Sequence, residues 1–174
     1  MRYIKGYMKI VITGTPGTGK TIVADILGKS LKKRVVHIND FAKKKKLIIG
    51  KTRGSYVVDL KKLRKKLLDV DGILESHLLC EFGLPGSIVF VLRCDPKVLA
   101  HRLQKRKYLR KKIKENLEVE ALDYCTINAE KNYRRVYDID TTKRAVNQVV
   151  KKIIAVLKKK GKADKVDFSN YFMR

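Results

Sequence analysis

The run Gly14-Thr15-Pro16-Gly17-Thr18-Gly19-Lys20-Thr21 constrains this chain more than any other stretch. It satisfies the pattern G-x-x-x-x-G-K-[ST] at every position. Glycines let a backbone curl until its N–H groups converge on a polyphosphate, and a following helix adds the positive end of its dipole. The flanks agree. Ile10-Val11-Ile12 is a short β-branched run, and Ile22, Val23, Ile26 and Leu27 recur at helical spacing after Lys20. Strand, glycine loop and helix in that order predict a nucleotide-binding loop. Lys20 is placed to reach the β- and γ-phosphates, and the Thr21 hydroxyl to hold Mg²⁺.

Composition narrows the setting. The 174 residues suffice for one domain with one good core. No apolar run approaches the roughly 18 residues that a membrane-spanning helix needs, and MRYIKGY lacks the apolar core of a signal peptide. A soluble, cytoplasmic protein is expected, with residues 1–7 as a frayed tail before a strand that starts directly after Met8. Cys80, Cys94 and Cys125 form no C-x-x-C and read as small buried residues, neither a zinc site nor a disulfide framework. The 42 Lys and Arg against 17 Asp and Glu give a net charge of +25, a field that attracts polyanions such as nucleic acid.

Beyond the loop, strands alternate with helices. Strands are predicted at 34–38, 72–77, 87–92 and 136–140. Asn39 or Asp40 caps a helix starting at Phe41, and residues 47–58, with two glycines, read as irregular. Asp59 caps a helix that sets Leu60, Leu63, Leu67 and Leu68 on one face against a basic exterior. Asp95-Pro96 starts another, Asp as cap and Pro at the first position. One long helix is expected from about Ile113 to Arg135. Thr141 or Thr142 caps the last, with Ala145, Val149, Ile153 and Val156 on its inner face, and residues 158–174 form a basic tail. The alternation predicts an α/β, three-layer P-loop NTPase fold: a five-stranded parallel sheet with helices on both faces, in a single domain.

Two further groups carry chemistry. A P-loop needs a second acid at a neighbouring strand end to organise the metal shell. Glu75 closes an apolar strand, and His77 points to the same side if the strand continues, where it positions or deprotonates a nucleophile. Transfer of a phosphoryl group spreads negative charge over its oxygens. Arg102 and Arg106, one helical turn apart, are candidates to neutralise it. They lead into Lys105 to Lys114, KRKYLRKKIK, read either as a mobile lid over ATP or as a plain basic surface.

GTPGTGKT, the acid-x-His at Glu75-Ser76-His77, IVFVLRCDP and RLQKRKY together resemble the adenylate kinases of the isoenzyme 6 type, from about Met8 to Lys158. The resemblance implies phosphoryl transfer from ATP to a nucleoside monophosphate, typically AMP, with Mg²⁺. It also implies ATPase activity and a transient role in maturation of the small ribosomal subunit and its 16S rRNA, through a platform ribosomal protein. Carried over by position, Gly17, Gly19, Lys20, Thr21 and Ile22 contact ATP, Arg106 is the lid arginine, and Thr21 and Glu75 serve the metal. Residues 37–60 form the monophosphate-binding segment, with Asp40 a candidate substrate contact, and 105–115 the lid. Glu75 stands where the family usually has Asp, and FAKKKKLIIGKTRGSYVV is basic where the family's segment is rather acidic.

Two functions of different class follow. One is an enzyme, ATP + AMP = 2 ADP, worked by positioning and electrostatics. The other is a ribosome-assembly factor switched by ATP, with the basic segments and Phe168, Tyr171 and Phe172 of the tail against RNA; docking of those aromatics on the protein itself is the plainer reading. A P-loop kinase for another small acceptor, a nucleoside or shikimate, stands behind both.

Overall fold

The computed structural model describes residues 9–52 and 55–173. The expected frayed N-terminal heptapeptide and residues 53–54 of the segment read as irregular lie outside the described residues. Five strands form one parallel sheet in the order β2-β5-β1-β6-β7: β1 (Ile10–Thr13), β2 (Val35–His37), β5 (Ile73–Glu75), β6 (Ile88–Arg93) and β7 (Val136–Asp140). A parallel sheet buries both faces, so its central strands read as near-continuous apolar runs. Ile10, Val11, Ile12, Ile73, Leu74 and Val89 are fully buried accordingly.

Alternate residues of each strand point to opposite faces. Ile10, Ile12, Phe90 and Leu92 meet Val23 and Leu27 of α1 (Lys20–Leu31) and Val149 and Ile153 of α7 (Val146–Leu157). Val11, Leu74, Val89 and Val91 meet Ile38 and Ala42 of α2 (Ile38–Lys44), Leu63 and Leu67 of α3 (Leu60–Leu67), and Ala129 of α6 (Tyr124–Asn132). The three layers expected from the alternation are thus present. A smaller apolar cluster joins Leu99 and Leu103 of α4 (Pro96–Lys105) to Ile113 and Leu117 of α5 (Arg110–Ala121), and Tyr171 of the tail packs on it. Phe168 lies with its ring 5.4 Å from the Arg93 guanidinium. The tail aromatics Phe168 and Tyr171 are therefore docked on the protein.

Several local expectations are corrected. Residues 48–52 and 55–58 are not irregular: β3 (Ile48–Thr52) and β4 (Ser55–Val58) pair antiparallel as a separate hairpin. It is exposed along most of its length, so no apolar alternation announces it. The helix expected over 113–135 is two, α5 and α6, because Asp123 takes a left-handed backbone (φ 54°) and turns its carboxylate to the Arg93 guanidinium. Helix α2 starts at Ile38 with His37 as its cap, not at Phe41. Neither Thr141 nor Thr142 caps α7; Ala145 does. Thr141 donates to the Arg93 carbonyl of β6 and accepts from Arg102 of α4, and Thr142 accepts from the N–H of Asp95, the cap of α4. Asp59 and Asp95 cap as expected, accepting from the Lys62 and from the Lys97 and Val98 N–H groups.

Candidate active site

The carboxyl ends of β1, β5, β6 and β7 share one edge of the sheet, where ligands of open α/β sheets bind. After β1 the chain turns through the glycine loop. Gly19 (φ 98°) is the cap of α1, and among the described residues no side chain caps that helix end and no acid stands in its first turn. Its N–H groups are left for a ligand. Gly17 (φ 95°) passes under α4 so closely that a Cβ there would lie 2.8 Å from Leu99 and 2.9 Å from Leu103. Lys20 is 8% exposed and donates from Nζ to the Thr15 carbonyl at 3.0 Å. Burial lowers its pKa, against the opposing pull of Glu75 and other neighbours.

In front of this loop opens a cleft of about 1090 Å³. That is the upper end of the range for small-molecule sites, with room for more than one ligand. One wall carries Gly17, Gly19, Lys20, Thr21, Ile22 and Asp25, and the floor Glu75 and His77. The opposite wall is Asn39 and Lys43 of α2 with Ser55, Tyr56 and Val58 of the hairpin, and Lys43 Nζ lies 5.5 Å from the Tyr56 ring centroid. Arg106, Tyr108 and Lys112, from the segment expected to form a lid, line the remaining side. A second cavity of about 390 Å³ lies behind the loop, between Gly17–Gly19 and Arg102, Arg106, Thr141 and Arg144. Its size suits one flat ring system.

Glu75 ends β5 as expected, but its setting was not legible. His37 stands between two acids, Nδ1 3.0 Å from Glu75 Oε2 and Nε2 3.1 Å from Asp25 Oδ1. The bond to Glu75 raises the His37 pKa, burial opposes, and Asp25 adds to the rise. The one sequence signal for Asp25 was its position four residues after Thr21 on α1, hence on the same face. Beyond Glu75 the strand stops. Ser76 Oγ accepts from the Leu78 N–H, and His77 opens a 3₁₀ turn, His77–Cys80, rather than continuing the strand. The His77 ring nonetheless faces the cleft. Burial among the cleft walls, then the charges of Lys20 and Lys112, push its pKa down to about 4. The residue is open to cleft water, and with its pKa held below the ordinary value the imidazole is neutral at pH 7.

One residue sits elsewhere than expected. Asp40 lines neither cavity. Because α2 begins at Ile38, Asp40 turns outward and its neighbour Asn39 faces the cleft. Arg102 and Arg106 both line the smaller cavity, as their spacing suggests, but Arg106 is the C-terminal cap of α4 and it alone of the two also lines the large cleft. Arg102 donates to Thr141 Oγ1 at 3.1 Å and the Thr141 carbonyl at 2.7 Å, on the wall of the smaller cavity, whereas Arg106 lines both cavities. Cys80, Cys94 and Cys125 are buried and free, as their spacing suggested; Cys80 Sγ donates to the His77 carbonyl at 3.1 Å.

Among the described residues no cluster of three His, Cys, Asp or Glu side chains could hold a metal ion. Thr21 and Glu75 do offer oxygen donors to the same cleft. That set fits Mg²⁺, which keeps several waters and takes one or two protein ligands together with phosphates. Among the described residues no helix is long and apolar enough to cross a membrane.

A family model described as "AAA domain" (AAA_18) matches residues 10–123. A protein of Methanocaldococcus jannaschii described as "Putative adenylate kinase" is 38% identical over 173 residues, 95% of each chain. One of the same description from Pyrococcus abyssi is 35% identical over 174 residues, 95% of this chain and 93% of that one. A shikimate kinase from Acinetobacter baumannii, solved in complex with shikimate, superimposes with a TM-score of 0.64 at 15% identity, over 87% of this chain and 93% of that chain. At that identity the likeness speaks for the fold.

Proposed function

This chain belongs to the archaeal adenylate kinase family of P-loop proteins, and from that premise we propose that it transfers a phosphoryl group from ATP to AMP or another nucleoside monophosphate. The observation that carries the reading is the continuity of the large cleft. One cavity runs from the glycine loop to α2 and the hairpin, so donor and acceptor meet without crossing a wall.

The donor phosphates lie on the loop amides, the α1 end and Lys20, with Gly17, Gly19 and Ile22 shaping their bed. The donor base enters the smaller cavity, where Arg106 covers it and Arg102 with Thr141 forms the wall. Thr21 and Glu75 would hold Mg²⁺, which when bound neutralises phosphate charge; His37 holds Glu75 on its other side. The acceptor rests against Asn39, Lys43 and Tyr56. Its phosphate oxygen attacks the γ-phosphorus, the bond from that phosphorus to the bridging oxygen breaks, and two ADP result. The attacking oxygen is already ionised, so no base is required. Neutral His77 positions the acceptor phosphate or, in ATP hydrolysis, a water. Arg106 and Lys112 neutralise charge from the lid side and exclude water.

The finer assignment, the isoenzyme 6 type with ATPase activity, is supported by Glu75-Ser76-His77 at the cleft floor. A second reading, an ATP-switched factor on the small ribosomal subunit, is favoured by the net charge of +25 and the basic outer face of α3. The test is ADP formation with Mg-ATP, alone and with each monophosphate, at low salt. Strong stimulation by AMP, abolished in Lys20→Ala with the fold intact, is expected. Full turnover in Lys20→Ala refutes the site. Slow hydrolysis unmoved by any monophosphate, with rRNA binding that falls steeply with salt, favours the switch.

A further inference from the structure

Glu120 is a fully buried carboxylate that phosphoryl transfer, as drawn above, does not use. It lies near the carboxyl end of α5, the helix whose amino end belongs to the lid, and is 1% exposed. Burying a carboxylate is costly unless each oxygen is matched, and here both are. Oε1 accepts from Arg93 Nε at 2.9 Å and from the Cys94 N–H at 2.9 Å, while Oε2 accepts from the hydroxyl of Thr15. Arg93 also donates to the Glu120 carbonyl at 3.0 Å, which fixes the backbone at this point.

Thr15 is the second residue of the glycine loop and is itself fully buried. Its carbonyl receives Lys20 Nζ at 3.0 Å and Thr18 Oγ1 at 2.9 Å. One residue is thus held from two sides. Its side chain is tied to Glu120, and its carbonyl is tied to the loop lysine and to Thr18, on the turn that leads to Gly19. A shift of Thr15 moves the group on which Lys20 rests. The Glu120 charge also acts on Lys20 in the same sense as Glu75, favouring its ammonium form.

We propose that Glu120 is a positioning residue of the phosphate-binding loop: anchored by Arg93, it acts through the Thr15 hydroxyl to hold the loop and Lys20 in the form that receives the donor phosphates. The inference rests on the loop binding nucleotide and is independent of which acceptor is used.

The test is a double-mutant cycle on the full chain with Thr15→Val, Glu120→Gln and the pair. Mg-ATP and ADP affinities are read by calorimetric titration, and stability by urea unfolding. Each single variant is expected to weaken nucleotide binding about tenfold. The double variant is expected to be no weaker than Glu120→Gln alone, because the second change removes a link already cut. Additive losses, near a hundredfold in the pair, overturn the proposal, and so does wild-type affinity in Glu120→Gln despite lowered stability, since Glu120 then only anchors α5. Should Glu120→Gln fail to fold, Thr15→Val decides alone: it leaves the Arg93–Glu120 pair in place, and wild-type nucleotide affinity in it overturns the proposal. Failure of the wild-type protein to bind Mg-ATP would instead strike the functional reading.

Discussion

Arg93 gives the sharpest quantitative prediction. It ends β6 at 1% exposure, and its guanidinium donates to Glu120 Oε1 at 2.9 Å, Asp138 Oδ2 at 3.1 Å, Thr126 Oγ1 at 3.1 Å and the Asp123 carboxylate. Burial works against its charge, but Glu120 and Asp138 outweigh it and raise the pKa, so it stays protonated. Arg93→Met keeps much of the volume and removes the charge. Asp123 is 34% exposed and can hydrate; Glu120, at 1%, and Asp138, at 13%, cannot. Breaking a buried pair from one side costs about 3–5 kcal/mol, a large part of the ~5–15 kcal/mol that holds a domain folded. At this chain length that lowers Tm by roughly 6–20 °C.

The pH dependence tests the cause. In wild type, burial holds the Asp138 pKa above its ordinary value, although Arg93 and the Thr126 hydroxyl pull it down. Without Arg93 the folded-state pKa of Asp138 rises further above its unfolded value. The Asp138 part of the penalty is then complete above that raised value and is relieved as pH falls through it, because protonation removes the uncompensated charge. Urea unfolding of both proteins from pH 8 to pH 5 should show the deficit largest at pH 7–8 and smaller at pH 5. A deficit under about 1 kcal/mol at pH 7, or one that does not change with pH, refutes the reasoning. Arg93→Lys, which keeps the charge but loses the fork, should fall between the two.

Two other substitutions follow from the same geometry. Gly17→Ala places a Cβ against Leu99 and Leu103 on a backbone with φ 95°; it should cost about 1–3 kcal/mol in urea unfolding and weaken Mg-ATP binding, and unchanged affinity with unchanged stability would contradict the close approach. At Asp164, burial works to raise the pKa, but hydrogen bonds from Arg144, the Asp140 N–H and Lys152 outweigh it and hold the carboxyl at about 2. The full depression would be worth roughly 2.5 kcal/mol. Its partners Arg144 and Lys152 are 33% and 29% exposed, so solvent screening reduces it to about 1 kcal/mol. That stability is present above the unfolded carboxyl pKa and lost as pH falls from about 4 towards 2, so Asp164→Asn should be less stable than wild type at pH 7 and equal to it near pH 2.

What the sequence disclosed and what it withheld divide along a physical line. The glycine loop, the buried strands and the Asp caps are local: backbone geometry, apolar runs and a cap residue within three positions of the N–H it serves. The hairpin escaped notice because its residues face water, with Ile49 66% exposed. The break between α5 and α6 has neither Gly nor Pro to mark it; a left-handed Asp123 is held there by an arginine 30 residues earlier. The strand expected to carry His77 onward stops because Ser76 caps a tighter turn.

At the site the same division separates the motif residues from their supports. Lys20, Thr21, Glu75 and His77 were legible because a pattern or a strand end names them. His37, Arg93 and Glu120 were not, since each is a polar side chain whose partner lies on another element. Thr15 and Glu120 are 105 residues apart, and no periodicity links them. Yet the consequence is mechanical. Helix α5 has an exposed amino end at the lid, with Leu109 79% exposed just before it, and near its carboxyl end it is fixed to both β6 and the glycine loop through one carboxylate. On the proposed reading, a lid anchored in this way would move at its exposed end while its base kept register with the glycine loop. On the proposal made above, the buried acid 105 residues from Thr15 supports the loop that the glycines first announced.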